Sequence, residues 1–110
     1  MKETVFLGDT LKAIRAFPEG ARRMAGRQIR RVQQGEEPID WKPFPSIGPN
    51  VREIRIRESG GACRVIYQAT LADIVLVISA FEKKSQKTPK HEVEKARTRL
   101  KAFTQQEAKK

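Results

Sequence analysis

The chain has 110 residues, which is enough for one domain with a single small hydrophobic core. Its 23 Lys and Arg residues outnumber its 13 Asp and Glu residues, and the resulting formal charge of +10 attracts polyanions, of which nucleic acid is the commonest. The lone cysteine excludes an internal disulfide, the first ten residues show no apolar signal-peptide region, and no apolar run has the length of a membrane span. We therefore expect a soluble cytoplasmic protein. The alternative to a surface that binds nucleic acid is a basic surface that serves only solubility.

The first third of the sequence predicts a strand followed by a hairpin of two antiparallel helices. The strand is ETVFLG, which Gly8 ends. Asp9 is placed to cap a short helix, and Pro18 suits the first turn of a longer one that stops at Gly35. The apolar stripe of the longer helix consists of Ala21, Met24, Ala25, Ile29 and Val32. Five arginines lie largely off that stripe: Arg22, Arg23, Arg27, Arg30 and Arg31.

A proline-rich segment follows the helices. Residues 36–50, EEPIDWKPFPSIGPN, contain four of the six prolines in the chain. Proline lacks an N–H group and fixes φ, which excludes both a helix interior and a central strand. We expect an ordered loop held by Trp41, Phe44 and Ile47, rather than a linker between two domains.

Three strands are predicted after this loop. VREIRIRE alternates apolar and charged residues, and SGG at 59–61 predicts a hairpin turn into ACRVIYQAT. A tight turn around residues 72–73 leads into IVLVISAF, whose nearly continuous apolar character suits the central strand of a small sheet. The short connections favour an antiparallel meander.

The last predicted element is a helix, with Thr88 as its N-cap and Pro89 as its first residue. Its apolar stripe consists of Val93, Ala96, Leu100 and Phe103. The predicted order is therefore β-α-α-β-β-β-α, an α+β fold with a twisted, antiparallel-rich sheet and the helix hairpin on one face. We expect a single domain over residues 1–103 and a flexible basic tail over residues 104–110.

Basic residues are predicted to converge on one face of this sheet. Pairing through the SGG turn makes Arg55 or Arg57 a cross-strand neighbour of Arg64, on the solvent side of the strand. The end of the third strand then brings Lys83 and Lys84 to the same edge. Such a concentration of cations suits an anion, and guanidinium groups match phosphate oxygens in pairs.

These residues also have interpretations that involve no binding or catalytic function. The arginines are also explained as surface residues that limit aggregation and pair with Glu53 or Glu58. No glycine-rich phosphate loop or zinc-binding pattern is present in the sequence. The single histidine, His91, is expected to be exposed, and Cys63 is expected to fill the core.

Two stretches, VREIRIRESGGACRVIYQA and IVLVISAFEKKSQKTPKHEVEKARTRL, resemble the RelE/ParE toxin superfamily, most closely its phage-derived HigB-like branch. The most specific string is FEKKSQKTPKHEVEKAR, in which Ser85 replaces a threonine that is usual in the branch. With the helix hairpin in front, the resemblance spans about residues 3–103. It implies a RelE-like fold and the toxin of a type II toxin–antitoxin system.

The resemblance implies an endoribonuclease that cuts messenger RNA in the ribosomal A site, with no metal and no cofactor. In that reaction the 2′-hydroxyl attacks the adjacent phosphate. The catalytic candidates carried over by position are Arg55, Arg64, Lys83 and Glu53. Those for binding RNA or phosphate are Arg57, Lys84, Lys87 and Lys90, and the arginine-rich second helix is a further candidate for that role. The implied partners are a HigA-like helix-turn-helix antitoxin, the ribosome and its message.

The sequence departs from the family at the general base. Many family nucleases use a tyrosine or histidine near the C-terminal end, and no tyrosine follows Tyr67, which alternates onto the core side. Glu53 and a lysine with a lowered pKa are the two remaining candidates. Two other functions stay open: a gyrase inhibitor of the ParE kind, and a non-catalytic, phage-derived protein that binds RNA or DNA.

Overall fold

The computed structural model describes residues 1–58, 61–69, 73–83 and 88–108. Ser59 and Gly60 of the predicted hairpin turn and Ala72 of the next turn lie outside these ranges. None of the helices in the described ranges is long and apolar enough to span a membrane. The elements are, in chain order, β1 (Glu3–Phe6), α1 (Thr10–Arg15), α2 (Glu19–Gln33), β2 (Trp41–Pro43), β3 (Val51–Glu58), β4 (Gly61–Gln68), β5 (Ile74–Lys83) and α3 (Lys90–Ala108).

The strands form one sheet in the order β1-β5-β4-β3-β2. β3, β4 and β5 make the predicted antiparallel meander, and β1 is added in parallel beside β5, with Glu3 opposite Ile74. β5 thus lies between two strands and has both faces covered, which explains its nearly continuous apolar sequence. The predicted α+β class with an antiparallel-rich sheet is confirmed.

The helix hairpin covers one face of the sheet, as predicted. Ala21 and Ala25 of α2 are fully buried, and such small side chains let the helix lie close to the strands. The strand residues on this face are the apolar half of each alternation: Ile54, Ile56, Cys63, Val65, Tyr67, Val75 and Val77. Cys63 and Tyr67 therefore occupy the core positions expected for them.

α3 covers the opposite face of the sheet. Ala96 and Leu100 pack against Ile66, Leu76 and Ile78, so the apolar stripe predicted for this helix meets a second layer of core. The helix continues through Ala108 with exposed side chains, so residues 104–108 of the predicted tail are helical. The molecule is therefore a three-layer arrangement, with the sheet between the hairpin and α3.

The proline-rich segment contains a short strand that the sequence did not predict. β2 pairs with β3 at the outer edge of the sheet, and Lys42 lies opposite Glu53. Pro43 is tolerated there because an edge strand has one side without a ladder partner. The exclusion of a central strand holds, and Ile47 is buried as the expected anchor of the rest of the loop.

The predicted end of α2 at Gly35 is correct, whereas Pro18, predicted for the first turn, is the N-cap and the helix begins at Glu19. The helix ends with Gly35 at φ +86, Gly35 N–H donates to Val32, and Glu36 N–H donates to Arg31. These two bonds form a Schellman motif, in which a left-handed glycine lets the chain turn back on the last helical carbonyls.

Two predicted capping roles are wrong, because tertiary partners compete for the side chains. Asp9 occupies the N-cap of α1 but makes no capping hydrogen bond; its carboxylate accepts from Arg99 Nη2 at 2.6 Å instead. That bond lowers the pKa of Asp9. α3 begins at Lys90, one residue later than predicted, and the Thr88 hydroxyl donates to the Glu53 carboxylate at 2.6 Å.

Arg99 also fixes an irregularity in β5. The register between β4 and β5 shifts at Ile66 and Tyr67, which leaves Ile78 as the extra residue of a β-bulge. Arg99 Nη1 donates to the carbonyl of Ile78 at 3.0 Å. The same guanidinium lies against Gly8, where an added Cβ would be 2.7 Å from Arg99 Nε. One arginine therefore connects α3, the β1–α1 turn and the bulge.

Two glycine substitutions test this packing with opposite expected signs. Gly8→Ala should destabilise the fold by about 1–3 kcal/mol, because the residue has φ +55 and its Cβ would collide with Arg99. Gly26→Ala should stabilise it by about 0.5–1 kcal/mol, because Gly26 lies inside α2 with open space around it. Urea unfolding of both variants measures the two changes. Equal effects would contradict the role assigned to Gly8.

Candidate functional site

Four of the predicted basic residues come together on one face of the sheet, the face that carries α3. Arg55 of β3 lies directly opposite Arg64 of β4. Arg57 lies opposite Ala62, which lies opposite Lys83 of β5. We name Arg55, Arg57, Arg64 and Lys83 the basic cluster. Cross-strand pairs on one face are close neighbours, so the four cations share a small area of the sheet.

The bulge at Ile78 is what puts Lys83 into the cluster. Val75 and Val77 face the helix hairpin, and strict alternation would place Lys83 on that side as well. Ile78 and Ser79 instead both face α3: Ile78 packs in its core layer, and the Ser79 hydroxyl donates to Glu92. The alternation is therefore reversed beyond the bulge, and Lys83 falls on the same face as Arg64.

Arg64 is buried, with 8 % of its surface exposed, so the expectation that it lies on the solvent side is wrong. Its Nε lies 3.4 Å from Glu53 Oε1, and its Nη1 donates to the Cys63 carbonyl at 3.4 Å. Burial lowers the pKa of Arg64, but an arginine stays protonated at any physiological pH. The site thus contains a permanent positive charge held away from bulk water.

Glu53 is completely buried and supplies the counter-charge. Its Oε1 lies near both Arg64 and Lys42, the latter at 3.6 Å, and its Oε2 accepts the hydrogen bond from Thr88. Oε2 is therefore hydrogen-bonded, whereas Oε1 has two cationic neighbours but no hydrogen bond. This arrangement compensates the cost of burying a carboxylate and fixes the position of the Arg64 side chain.

Lys83 is also buried, with 6 % of its surface exposed. Burial lowers the pKa of Lys83 below the usual lysine value, and the charge of Arg64 lowers it further, while Glu53 acts in the opposite direction. Among the residues that the structure describes, no carboxylate lies within 4.0 Å of its amine. At a given pH, Lys83 is therefore neutral more often than an ordinary lysine.

Arg55 and Arg57 form the accessible rim of the cluster. Arg55 Nη2 lies 2.8 Å from Asp40 Oδ1, whereas Arg57 Nε is 4.0 Å from Asp40 Oδ2 and its side chain is 74 % exposed. The alternative prediction that the arginines pair with carboxylates holds for Arg64 with Glu53. Arg55 pairs with Asp40 instead, and the side chain of Glu58 lies outside the described residues.

The remaining predicted residues are divided between the site, the surface and the undescribed segments. Lys90 is exposed at the first residue of α3, and His91 is exposed as expected. Lys84 and Lys87 lie outside the described residues. Tyr67 is buried on the hairpin side of the sheet, away from the cluster. Burial raises the pKa of its hydroxyl, and Arg52 opposes that change.

Sequence reasoning missed three contributors: Asp40, Lys42 and Thr88. Asp40 and Lys42 enter through the edge strand β2, which the prolines concealed. A threonine before a proline predicts a helix cap. Nothing in the local sequence indicates that the Thr88 hydroxyl binds a buried carboxylate. The charged alternation in VREIRIRE was the signal that did locate Glu53 and Arg55.

The arrangement suits a phosphate group. Among the described side chains, five cations meet two carboxylates at this site, so their summed charge is positive: Lys42, Arg55, Arg57, Arg64 and Lys83 against Asp40 and Glu53. Fixed guanidinium groups in a partly dry setting stabilise charge that develops on a phosphoryl group. Within the described ranges, no group of three His, Cys, Asp or Glu side chains is placed to hold a metal ion.

Residues 12–101 match the protein family described as Phage derived protein Gp49-like (DUF891). The chain belongs to this family. Gp49-like proteins are a RelE-like toxin family of toxin–antitoxin systems, and membership indicates an antitoxin partner in general terms. The five-stranded sheet with three helices is consistent with a RelE-like fold. A comparison with curated proteins gives no match. The matched range includes the whole basic cluster of this Gp49-like chain.

A double-mutant cycle tests the coupling between Glu53 and Arg64. Glu53→Gln should destabilise the fold by about 3–5 kcal/mol, because it leaves the buried Arg64 charge uncompensated. Adding Arg64→Met should recover part of that loss, with a coupling of about 1–3 kcal/mol, because replacing a buried pair is less costly than breaking it. Chemical unfolding of the two single variants and the double variant measures the cycle. Strict additivity would show that the two groups do not interact.

Proposed function

We propose that this Gp49-like chain is the toxin of a type II toxin–antitoxin pair, in the HigB-like branch of the RelE/ParE superfamily. In this proposal it acts in the cytoplasm as a ribosome-dependent endoribonuclease on messenger RNA. The observation that carries the proposal is the convergence of Arg55, Arg64 and Lys83 on one sheet face, with Arg64 held by a buried Glu53. A surface that served only solubility would not need a buried guanidinium or a buried lysine.

The proposed reaction is a transesterification within the RNA. The 2′-hydroxyl oxygen attacks the adjacent phosphorus, and the bond from phosphorus to the 5′-oxygen of the next nucleotide breaks. The products are a 2′,3′-cyclic phosphate and a 5′-hydroxyl. The hydroxyl loses one proton and the leaving oxygen gains one, so the site needs a base, an acid and positive charge around the phosphate.

Arg64 and Arg55 are assigned to the phosphate. Arg64 is the fixed donor, because its side chain is buried and oriented by Glu53. Arg55 is half-buried at the rim, where Asp40 leaves part of its guanidinium for the ligand. Both charges stabilise the pentavalent transition state more than the ground state, because negative charge on the non-bridging oxygens increases as the reaction proceeds.

Lys83 is assigned to proton transfer, and Glu53 to positioning Arg64. The lowered pKa of Lys83 makes a neutral amine available to take a proton and the resulting ammonium available to return one. Glu53 was the other candidate base. Its contacts with Arg64, Lys42 and Thr88 favour the positioning role. Arg57, Lys84, Lys87 and Lys90 are proposed to bind the RNA backbone.

Primer extension on a message in a purified translation reaction tests this function, with and without ribosomes. The wild-type chain should cut within A-site codons only when ribosomes are present. Arg64→Lys keeps one positive charge against Glu53 but loses the paired donors, and it should reduce cutting by about 10²–10³-fold. Arg15→Lys is the matched control, because it makes the same exchange at an exposed arginine of α1 on the opposite face of the sheet, and it should cut like the wild type.

The same assay separates the competing functions. A folded wild-type chain that cuts no message would overturn the proposal. Inhibition of supercoiling by gyrase would then identify the ParE-like function, and binding of RNA or DNA without cleavage would identify a passive binder. Cutting that is equal in wild type and Arg64→Lys would leave the nuclease but remove the basic cluster as its site.

The role of Lys83 is tested by comparing Lys83→Arg with the wild type across pH. As the base, Lys83 acts in its neutral form, whose fraction rises as pH rises through its lowered pKa, so the cleavage rate should rise and then level off. Arginine stays protonated, so Lys83→Arg should lose about 10²–10⁴-fold of activity and the rising limb of the profile. Full activity in Lys83→Arg would restrict Lys83 to charge stabilisation.

A further inference from the structure

A groove runs along the outer flank of α2, between the helix and the segment that follows it. Its volume is about 370 Å³, and its apolar floor is formed by Met24 and Ile39. Ile39 is 71 % exposed, and among the described residues only Met1 is a comparably exposed large hydrophobic side chain. The other lining residues are Arg27, Gln28, Arg30, Arg31 and Gln34.

The exposed isoleucine is held in place by the helix. Its N–H donates to the side-chain oxygen of Gln28 at 2.7 Å, and Gln28 is itself buried. Two residues earlier, the carbonyl of Glu37 accepts from Arg31 Nε at 2.9 Å. The segment is therefore fixed against α2 with the isoleucine pointing away from the core. A single exposed hydrophobic residue is common on protein surfaces and does not by itself indicate a binding site. The charged residues around Ile39 are therefore the further evidence to examine.

The edge of the groove is strongly positive. Arg23, Arg27 and Arg31 follow one another at four-residue spacing, where like charges repel. Glu19 pairs with Arg23 at 2.6 Å and Glu36 with Arg31 at 3.7 Å. In the part of the chain that the structure describes, no carboxylate lies within 4.0 Å of Arg27 or Arg30. The groove thus combines an apolar floor with two arginines, Arg27 and Arg30, that have no carboxylate partner among the described residues.

We propose that this groove is the docking site for an acidic amphipathic helix of a partner protein, the antitoxin that membership of the family indicates. An apolar side chain of that helix rests between Met24 and Ile39, and carboxylates one turn away pair with Arg27 and Arg30. Ribosomal RNA is the other polyanion that such arginines suit. The apolar floor favours protein, because a phosphate backbone gains nothing from an exposed isoleucine.

The position of the groove makes it independent of the basic cluster. α2 packs on one face of the sheet, and the cluster lies on the other. A helix bound along α2 therefore leaves the cluster uncovered, and both surfaces can be occupied at the same time. Failure of the nuclease assay would not affect this inference, and failure of the docking test would not affect the nuclease.

Two synthetic helical peptides with identical composition test the proposal in a fluorescence anisotropy titration with the full chain. One carries leucines along a single face and glutamates on the flank of that face, and the other has the same residues in scrambled order. A short single-stranded RNA is the third probe. The wild-type chain should bind the amphipathic peptide about tenfold more tightly than the scrambled one, because only the former buries apolar surface against Ile39.

Three variants assign the binding to the groove. Ile39→Ser should abolish the preference between the peptides and leave RNA binding unchanged. Arg27→Gln combined with Arg30→Gln should weaken the amphipathic peptide about tenfold, while the matched control, Lys12→Gln with Arg15→Gln, removes the same charge from α1 and should change it by about twofold or less.

The opposite results overturn the proposal. Equal affinity of the wild-type chain for the two peptides would show attraction by net charge alone. A loss of RNA binding in the Arg27 and Arg30 variant, with peptide binding retained, would assign the surface to nucleic acid. Retention of the peptide preference in Ile39→Ser would place the docking site elsewhere.

Discussion

The carboxylate of Glu53 is the constraint around which one side of this protein is organised. A fully buried carboxylate is stable only if nearby groups supply positive charge and hydrogen bonds. Lys42 brings the edge strand β2 to it, Arg64 comes from β4, and Thr88 comes from the segment that leads into α3. The charge and hydrogen-bonding requirements of the buried Glu53 carboxylate therefore constrain the positions of three separate segments.

The bulge in β5 adds a second constraint, because it decides which residues can share a face with Arg64. One extra residue at Ile78 reverses the alternation, and Lys83 is transferred from the hairpin side to the α3 side. Arg99 holds this geometry through the Ile78 carbonyl. Arg99, which is distant from the cluster in sequence, thus helps to place Lys83 in it. The cluster has a rim of half-buried Arg55 and exposed Arg57, with Arg64 and Lys83 buried inside it.

The sequence allowed the order of most elements and the facing of β3 and β4 to be predicted, and it narrowed the cross-strand neighbour of Arg64 to Arg55 or Arg57, because these depend on local alternation and a short turn. It did not allow the burial of Arg64 to be predicted, since the groups that cover and neutralise it come from other segments. The capping role of Thr88 failed for the same reason: its hydroxyl donates to the buried Glu53 carboxylate, which comes from the distant strand β3. Proline content concealed β2, and no local pattern marks a bulge such as that at Ile78.

The parallel pairing of β1 with β5 has a consequence for how the chain is made. Glu3 lies opposite Ile74, so β1 has no strand to pair with until β5, the last strand of the sheet, has left the ribosome. Closing so long a loop is entropically costly, and sheets with distant pairings form slowly. Lys83 is the last residue of β5. The basic cluster is therefore complete only when β5 pairs with β4. A nascent chain therefore carries no assembled cluster until its last strand has emerged and paired with β4.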